Sequence, residues 1–357
     1  MKKIKKTKII ATLGPASSSS DTIEKLIKEG VDVLRINFSH SSHDEAEALI
    51  KEIRKTNTKL NTNTSILADL QGPKLRIGEI IPGTNLDIGS KLKIKTGKEF
   101  IGDNNMLFVN YESLPKDISE GERILIDDGK IILKVTDTNK KDQIITEVIQ
   151  GGEISSNKGF NLPNTNISQP ALTDKDIEDA VFSAKQNVDW IALSFVRHES
   201  DIKSLIDLLE ENTNHRIPVI AKIEKPEGVK NIDEIMKYAS GIMVARGDLG
   251  VEINAAEVPL IQKKLVYKAK KARIPVIIAT QMMESMMESL NPNRAEVNDV
   301  ANSVMDGADA VMLSGETSVG KHPVEVIQTV SNIIGKVENS NLISLKHKHP
   351  TDYDSDR

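Results

Sequence analysis

Short apolar, largely β-branched runs alternate along most of this chain with stretches whose apolar positions recur at helical spacing. The alternation predicts strands and helices in succession. Residues 4–13 read as a first strand. A helix follows from Asp21, with Ile23, Leu26 and Ile27 on one face and Gly30 as its stop. Residues 31–39 predict a second strand, 43–55 a helix and 65–71 a third strand. After a long interruption the pattern resumes with a helix over 173–185, a strand over 188–195 and a helix over 199–211. Strand or helix runs at 217–224, 229–238, 241–248, 256–272, 274–281, 295–305, 308–316 and 323–337 complete the series.

With the interruption set aside, eight strands are each followed by a helix, which implies a parallel sheet. Eight such units in about 250 residues is the size of a closed (β/α)8 barrel. The expected fold class is therefore α/β, a barrel with a small all-β lid domain inserted after strand 3. In the interruption, residues 92–95, 123–126, 131–135 and 143–149 are short strands between turns bearing Gly, Asp and Asn. The expected organisation is barrel over 1–71 and 170–338, lid over 72–169, and a polar tail over 339–357 that reads as disordered.

Composition narrows the chemistry. The chain has 357 residues, a formal net charge of −5, 3% aromatic residues and no cysteine. The absence of cysteine removes thiolate metals, iron–sulfur ligation, a disulfide framework and a thiol nucleophile, and it fits a reducing, cytoplasmic setting. An acidic balance with few aromatics argues against nucleic acid as a partner. No apolar run approaches the roughly 20 residues that span a bilayer. The lysine-rich start, Lys2, Lys3, Lys5 and Lys6, reads as a solvated edge before the first strand.

Barrel enzymes place their chemistry at the carboxyl ends of the strands, and here those ends are charged. Strand 2 ends in Arg35, Asn37, Ser39 and His40, strand 3 in Asp69, and strand 5 in Lys222 and Glu224. Strand 6 ends in Arg246, Gly247 and Asp248, strand 7 in Thr280, and strand 8 in Ser314 and Glu316. Glu224 and Asp248, from adjacent strands, suit a hard cation such as Mg²⁺, which takes one or two carboxylates plus substrate oxygens. Lys222, Arg35 and Arg76 suit a phosphoryl group. These residues point to a Mg²⁺-dependent barrel acting on a phosphorylated or carboxylated small molecule. They do not separate phosphoryl transfer from aldol or carbon–phosphorus chemistry. Met282, Met283, Met286 and Met287 at helical spacing read as core filler, and His40 and His43 lack a third metal ligand.

The strings that carry these residues resemble the pyruvate kinase family. They are residues 8–17 (KIIATLGPAS), 34–40 (LRINFSH), 69–76 (DLQGPKLR), 217–229 (IPVIAKIEKPEGV), 241–250 (GIMVARGDLG), 279–286 (ATQMMESM) and 311–317 (VMLSGET). Within the insertion they are 127–129 (DDG) and 158–163 (KGFNLP). The resemblance implies phosphoryl transfer from phosphoenolpyruvate to ADP, giving ATP and pyruvate. It implies that Glu224 and Asp248 hold Mg²⁺ (or Mn²⁺), that Lys222 stabilises the transferring group and that Arg35 contacts its oxygens. Gly247, Asp248 and Thr280 would bind the carboxylate. Thr280 and Ser314 match a proton path, and Asn37, His40, Arg76 and Lys158 match nucleotide contacts. Two other readings are a related Mg²⁺-dependent lyase or aldolase, and a non-catalytic remnant.

Two departures from the family pattern matter. Lys74 stands where many members have a glutamate that goes with K⁺ bound at positions matching Asn37, Ser39, Asp69 and Leu70. Leu70 offers no side-chain oxygen, so K⁺-independent catalysis is expected, with the Lys74 ammonium in the cation's stead. The chain also stops shortly after Val337, where family members continue into an effector domain. The expectation is no response to sugar-phosphate effectors and at most a homodimer through the barrel, not a tetramer.

Overall fold

The computed structural model describes residues 5–340. The residues before it, and the tail from 341 onward, lie outside the described residues. Eight parallel strands close a barrel: β1 (Lys8–Thr12), β2 (Val33–Asn37), β3 (Ser65–Asp69), β4 (Trp190–Leu193), β5 (Val219–Ile223), β6 (Gly241–Ala245), β7 (Val276–Ala279) and β8 (Ala310–Leu313). Each strand pairs with its neighbour in sequence, and β8 returns to β1 with Ala11 opposite Leu313.

Two cores follow from the period of two along each strand. Outward-facing Ile9, Leu34, Ile36, Ile66, Ile191, Ile223, Val244, Ile278 and Val311 are buried against the helices. Inward-facing Ile10, Leu67, Ala192, Ile220, Met243, Ile277, Ala279, Ala310 and Met312 fill the barrel. The helices are anchored at their ends. Ser19 caps helix Ser20–Glu29, which stops at Gly30 with φ 111°. Capping boxes start helices His43–Leu60, Asp174–Lys185 and Arg294–Asp306. The carboxylate of Glu338 accepts the Lys6 and Thr7 N–H groups at 2.9 and 2.6 Å, tying the start of β1 to the final helix.

Three stretches differ from the sequence reading. The helix expected over 229–238 is two short ones, Pro226–Lys230 and Ile232–Ile235, broken at Asn231. Strand 6 ends at Ala245, and Arg246–Glu252 is helical, so Arg246, Gly247 and Asp248 open a helix rather than close a strand. The four methionines lie in and just before a single 3₁₀ turn, Glu284–Met287. Met282, Met283 and Met286 are fully buried in the core, as a filler role requires.

A second compact unit comprises Pro73–Ala171 together with Asp248–Val258. Its main sheet has six strands, in the order Phe160–Asn161, Arg123–Ile126, Ile131–Thr138, Gln143–Gln150, Lys91–Lys95 and Met106–Phe108. Leu92, Ile94, Leu107, Ile124, Leu133, Val135, Ile144 and Val148 form its own buried core. Segment Asp248–Val258 is tied to it by Asn161 Nδ2, which donates to Glu252 Oε1 at 2.8 Å. Among the described residues no helix is long and apolar enough to cross a membrane.

Candidate active site

The inward phase that is apolar lower in the barrel turns polar in its uppermost layer. Two residues beyond Ile10 comes Thr12, beyond Val33 comes Arg35, and beyond Leu67 comes Asp69. Likewise Ser194 follows Ala192, and Lys222 follows Ile220. The same alternation that fills the barrel therefore aims these five side chains at one point.

Asp69 is the hub. It is fully buried, and its Oδ2 accepts from Arg35 Nε at 2.6 Å while its Oδ1 lies 3.2 Å from Lys222 Nζ. Burial alone pushes the Asp69 carboxyl up, but the Arg35 guanidinium and the Lys222 ammonium outweigh it and hold the group below its usual range. Arg35 is oriented further by Thr12, whose Oγ1 accepts from its NH1 at 2.9 Å and donates to the Leu313 carbonyl at 2.8 Å. Lys222 Nζ also lies 3.1 Å from Glu224 Oε1 and donates to Ser194 Oγ at 2.7 Å. Ser194 in turn donates to the Leu70 carbonyl at 2.7 Å, and Glu224 Oε2 accepts the Phe195 N–H at 2.7 Å. A guanidinium and an ammonium thus meet two buried carboxylates, with Thr12 and Ser194 bonded to the two cations.

Beside this network, Thr280 adopts a left-handed conformation with φ 72°, uncommon for a β-branched residue. Its Oγ1 accepts the Gly247 N–H at 2.7 Å, and a Cβ at Gly247 would lie 3.3 Å from that oxygen. Arg246 holds the strained turn in place. Its NH2 donates to the Thr280 carbonyl at 2.7 Å and its NH1 pairs with Asp299 at 2.7 Å. On the neighbouring strand end, the Ser314 N–H donates to Glu316 Oε2 at 2.7 Å, and Glu316 Oε1 accepts the Met283 N–H at 3.0 Å. Sequence reading missed Thr12 and Ser194, although their phase with Lys222 is a usable signal. Asp299 lies mid-helix and carries no such signal.

Asn37 and His40 line a cavity of about 760 Å³ with Thr12, Pro15, Glu45 and Val319. Asn37 Oδ1 accepts the Ser39 N–H at 3.1 Å, and Leu70 is buried with its N–H donated to the Ala192 carbonyl at 3.0 Å. A second cavity of about 530 Å³ lies at the opposite mouth, over the apolar floor of Ile10, Leu67, Trp190 and Ile277. His43, by contrast, is used structurally: it stacks on Phe182 at 4.2 Å and pairs with Asp179 at 2.8 Å. Asp248 is exposed and belongs to the second unit, as do Lys74, Arg76 and Lys158. There Lys158 Nζ lies 2.9 Å from Asp127 Oδ1, and Arg76 donates to the Asn157 carbonyl.

Residues 4–327 match the family model described as pyruvate kinase, barrel domain. The pyruvate kinase of Corynebacterium efficiens is 47% identical over 331 residues, covering 92% of this chain and 69% of that protein. That of Bacillus licheniformis is 46% identical over 347 residues, covering 97% of this chain and 58% of that protein. The enzyme of Mycobacterium tuberculosis is 44% identical over 334 residues, covering 93% and 70% respectively. A barrel whose upper layer gathers Arg35, Asp69, Lys222 and Glu224, with identity of this order along nearly its whole length, leaves one assignment: the chain belongs to the pyruvate kinase family.

Proposed function

We propose that this barrel transfers the phosphoryl group of phosphoenolpyruvate to ADP, giving ATP and pyruvate, with Lys222 and Arg35 as the residues that stabilise the moving group. The observation that carries the reading is the pair of buried cations held at the barrel mouth by Asp69. Charge spreads over the phosphoryl oxygens as the bond to the enol oxygen lengthens. Donors already oriented there favour that state without reorganising.

In this reading Glu224 and Asp248 would hold Mg²⁺ or Mn²⁺, ions that carboxylate oxygens suit. When bound, the ion supplies charge neutralisation and orientation of the substrate oxygens. Glu224 is kept ready by the Phe195 N–H, which fixes its rotamer. In this reading Gly247, Asp248 and Thr280 bind the substrate carboxylate. The hydrogen bond from the Gly247 N–H to Thr280 Oγ1 at 2.7 Å, which joins two of these three residues, supports that reading. Thr280 and Ser314 then deliver a proton to the enolate carbon. Asn37, His40, Arg76 and Lys158 take the nucleotide phosphates. The enzyme works as a cytoplasmic glycolytic kinase, alone or as a homodimer through the barrel.

Lys74 makes catalysis independent of K⁺ in this reading. Support comes from Leu70, which offers no side-chain oxygen, and from Asp69, whose two oxygens already face Arg35 and Lys222. A lactate-dehydrogenase-coupled assay with phosphoenolpyruvate, ADP and Mg²⁺ tests both statements. Turnover is expected, at rates within about twofold in K⁺ and in a tetraalkylammonium salt. No turnover overturns the activity, and a hundredfold need for K⁺ overturns the role of Lys74.

Thr280→Val keeps shape and branching but removes the hydroxyl. It leaves the Gly247 N–H without its acceptor, a loss of about 1–3 kcal/mol if no water replaces it. Turnover is expected to fall by about 10²-fold, read as kcat with phosphoenolpyruvate saturating. An unchanged kcat removes Thr280 from the proton path.

A further inference from the structure

The cavity beside Asn37 and His40 is acidic on one side. It is walled by apolar Leu13, Pro15, Leu49 and Val319, and among the described residues no lysine or arginine lines it; its charged lining residues there are Glu45 and Glu52. The Glu45 side of this rim suits a neutral ring that presents N–H donors.

The two carboxylates differ in what they have left to offer. Glu52 is occupied: Oε1 accepts from Ser20 Oγ at 2.5 Å and Oε2 pairs with Lys55 at 3.3 Å. In Glu45, the third residue of helix His43–Leu60, Oε2 accepts both the N–H and the Oγ–H of Ser42 at 2.9 Å. Its Oε1 has no hydrogen bond among the described residues. The capping box therefore fixes the side chain while leaving one acceptor free, so little rotamer freedom is lost on binding.

We propose that Glu45 reads the base of the nucleoside diphosphate and selects guanine over adenine. The inference rests on the reading of this cavity as the nucleotide site. An ionised carboxylate only accepts hydrogen bonds. Guanine offers it two adjacent donors, N1–H and the 2-amino group. Adenine offers one amino group beside the N1 lone pair, which the carboxylate repels. Hydrogen bonds from Ser42 lower the Glu45 carboxyl below its usual range, so it is ionised at neutral pH.

The test measures kcat/KM for GDP, IDP and ADP with Mg²⁺ and phosphoenolpyruvate, and in parallel Kd for the same diphosphates by titration calorimetry. GDP is expected to be preferred over ADP by about tenfold, with IDP, which lacks the 2-amino group, in between. Glu45→Gln retains an acceptor for Ser42 and turns the free oxygen into a donor, so the ratio is expected to fall to about one. Glu52→Gln is expected to leave the ratio unchanged. Equal affinity for GDP and ADP in the unaltered chain, or an unchanged ratio in Glu45→Gln, overturns the proposal. Calorimetric preference for GDP without turnover of any diphosphate supports the role of Glu45 while refuting the kinase activity. Turnover with no base preference does the reverse.

Discussion

Lys222→Met is expected to reduce phosphoryl transfer by roughly 10²–10³-fold or more while the barrel remains folded. The ammonium lies 3.2 Å from Asp69 and 3.1 Å from Glu224 and donates to Ser194 Oγ at 2.7 Å, so its position is set from three sides. Its side chain is only 11% exposed, which places the charge where the effective dielectric is low and its effect on a developing anion is large. Methionine fills nearly the same volume. Asp69 keeps its bond to Arg35, so the fold retains one of the two cations that neutralise this carboxylate. The coupled assay, run beside a thermal melt, reads both effects. A folded variant with activity within tenfold of the unaltered chain would contradict the role assigned to Lys222.

The second large effect is on stability. Asp69→Asn preserves shape but leaves Arg35 and Lys222 facing one another in a buried layer without the carboxylate between them. Breaking a buried pair from one side costs about 3–5 kcal/mol. For a barrel of this size that corresponds to a drop in Tm on the order of 10 °C. The same residue sets an acid limit. Its folded pKa lies below the unfolded value of about 3.9. The stabilisation it brings is therefore fully present above that value and is lost as pH falls through the folded one. Calorimetric melts from pH 7 to pH 3 should show the unaltered chain losing stability below about pH 4, with a shallower slope in Asp69→Asn. An unchanged Tm in the variant would mean that Asp69 is not the centre of the network.

Most of the barrel was legible because period-two and helical patterns are local properties of the chain. Residues 217–224, for instance, alternate apolar and polar only after Ile220, and that switch marks the polar top of the strand. Where the reading slipped, a nonlocal contact was responsible. The segment after Glu224 breaks into two short helices at Asn231, whose Nδ2 donates to the carbonyl of Arg197, 34 positions earlier, at 2.9 Å. The turn at Thr280 leaves the strand in a left-handed conformation held by Arg246, a residue 34 positions earlier in the chain. Nothing within a few residues of either site announces such a partner.

The candidate site divides in the same way. Arg35, Lys222 and Glu224 stood out as charges at strand ends, and their shared inward phase follows from counting. Asp69 matches a position that goes with a monovalent cation in many family members, a cation the Lys74 reading makes unnecessary here; in the folded chain it is the carboxylate on which Arg35 and Lys222 converge. By itself the sequence determined which side chains face the barrel axis, since alternation along a strand needs no partner. Only the tertiary structure decided how those side chains neutralise and orient one another. Ion pairing depends on distances set by the closure of the barrel and by how deeply water is excluded, and neither is a property of any one segment.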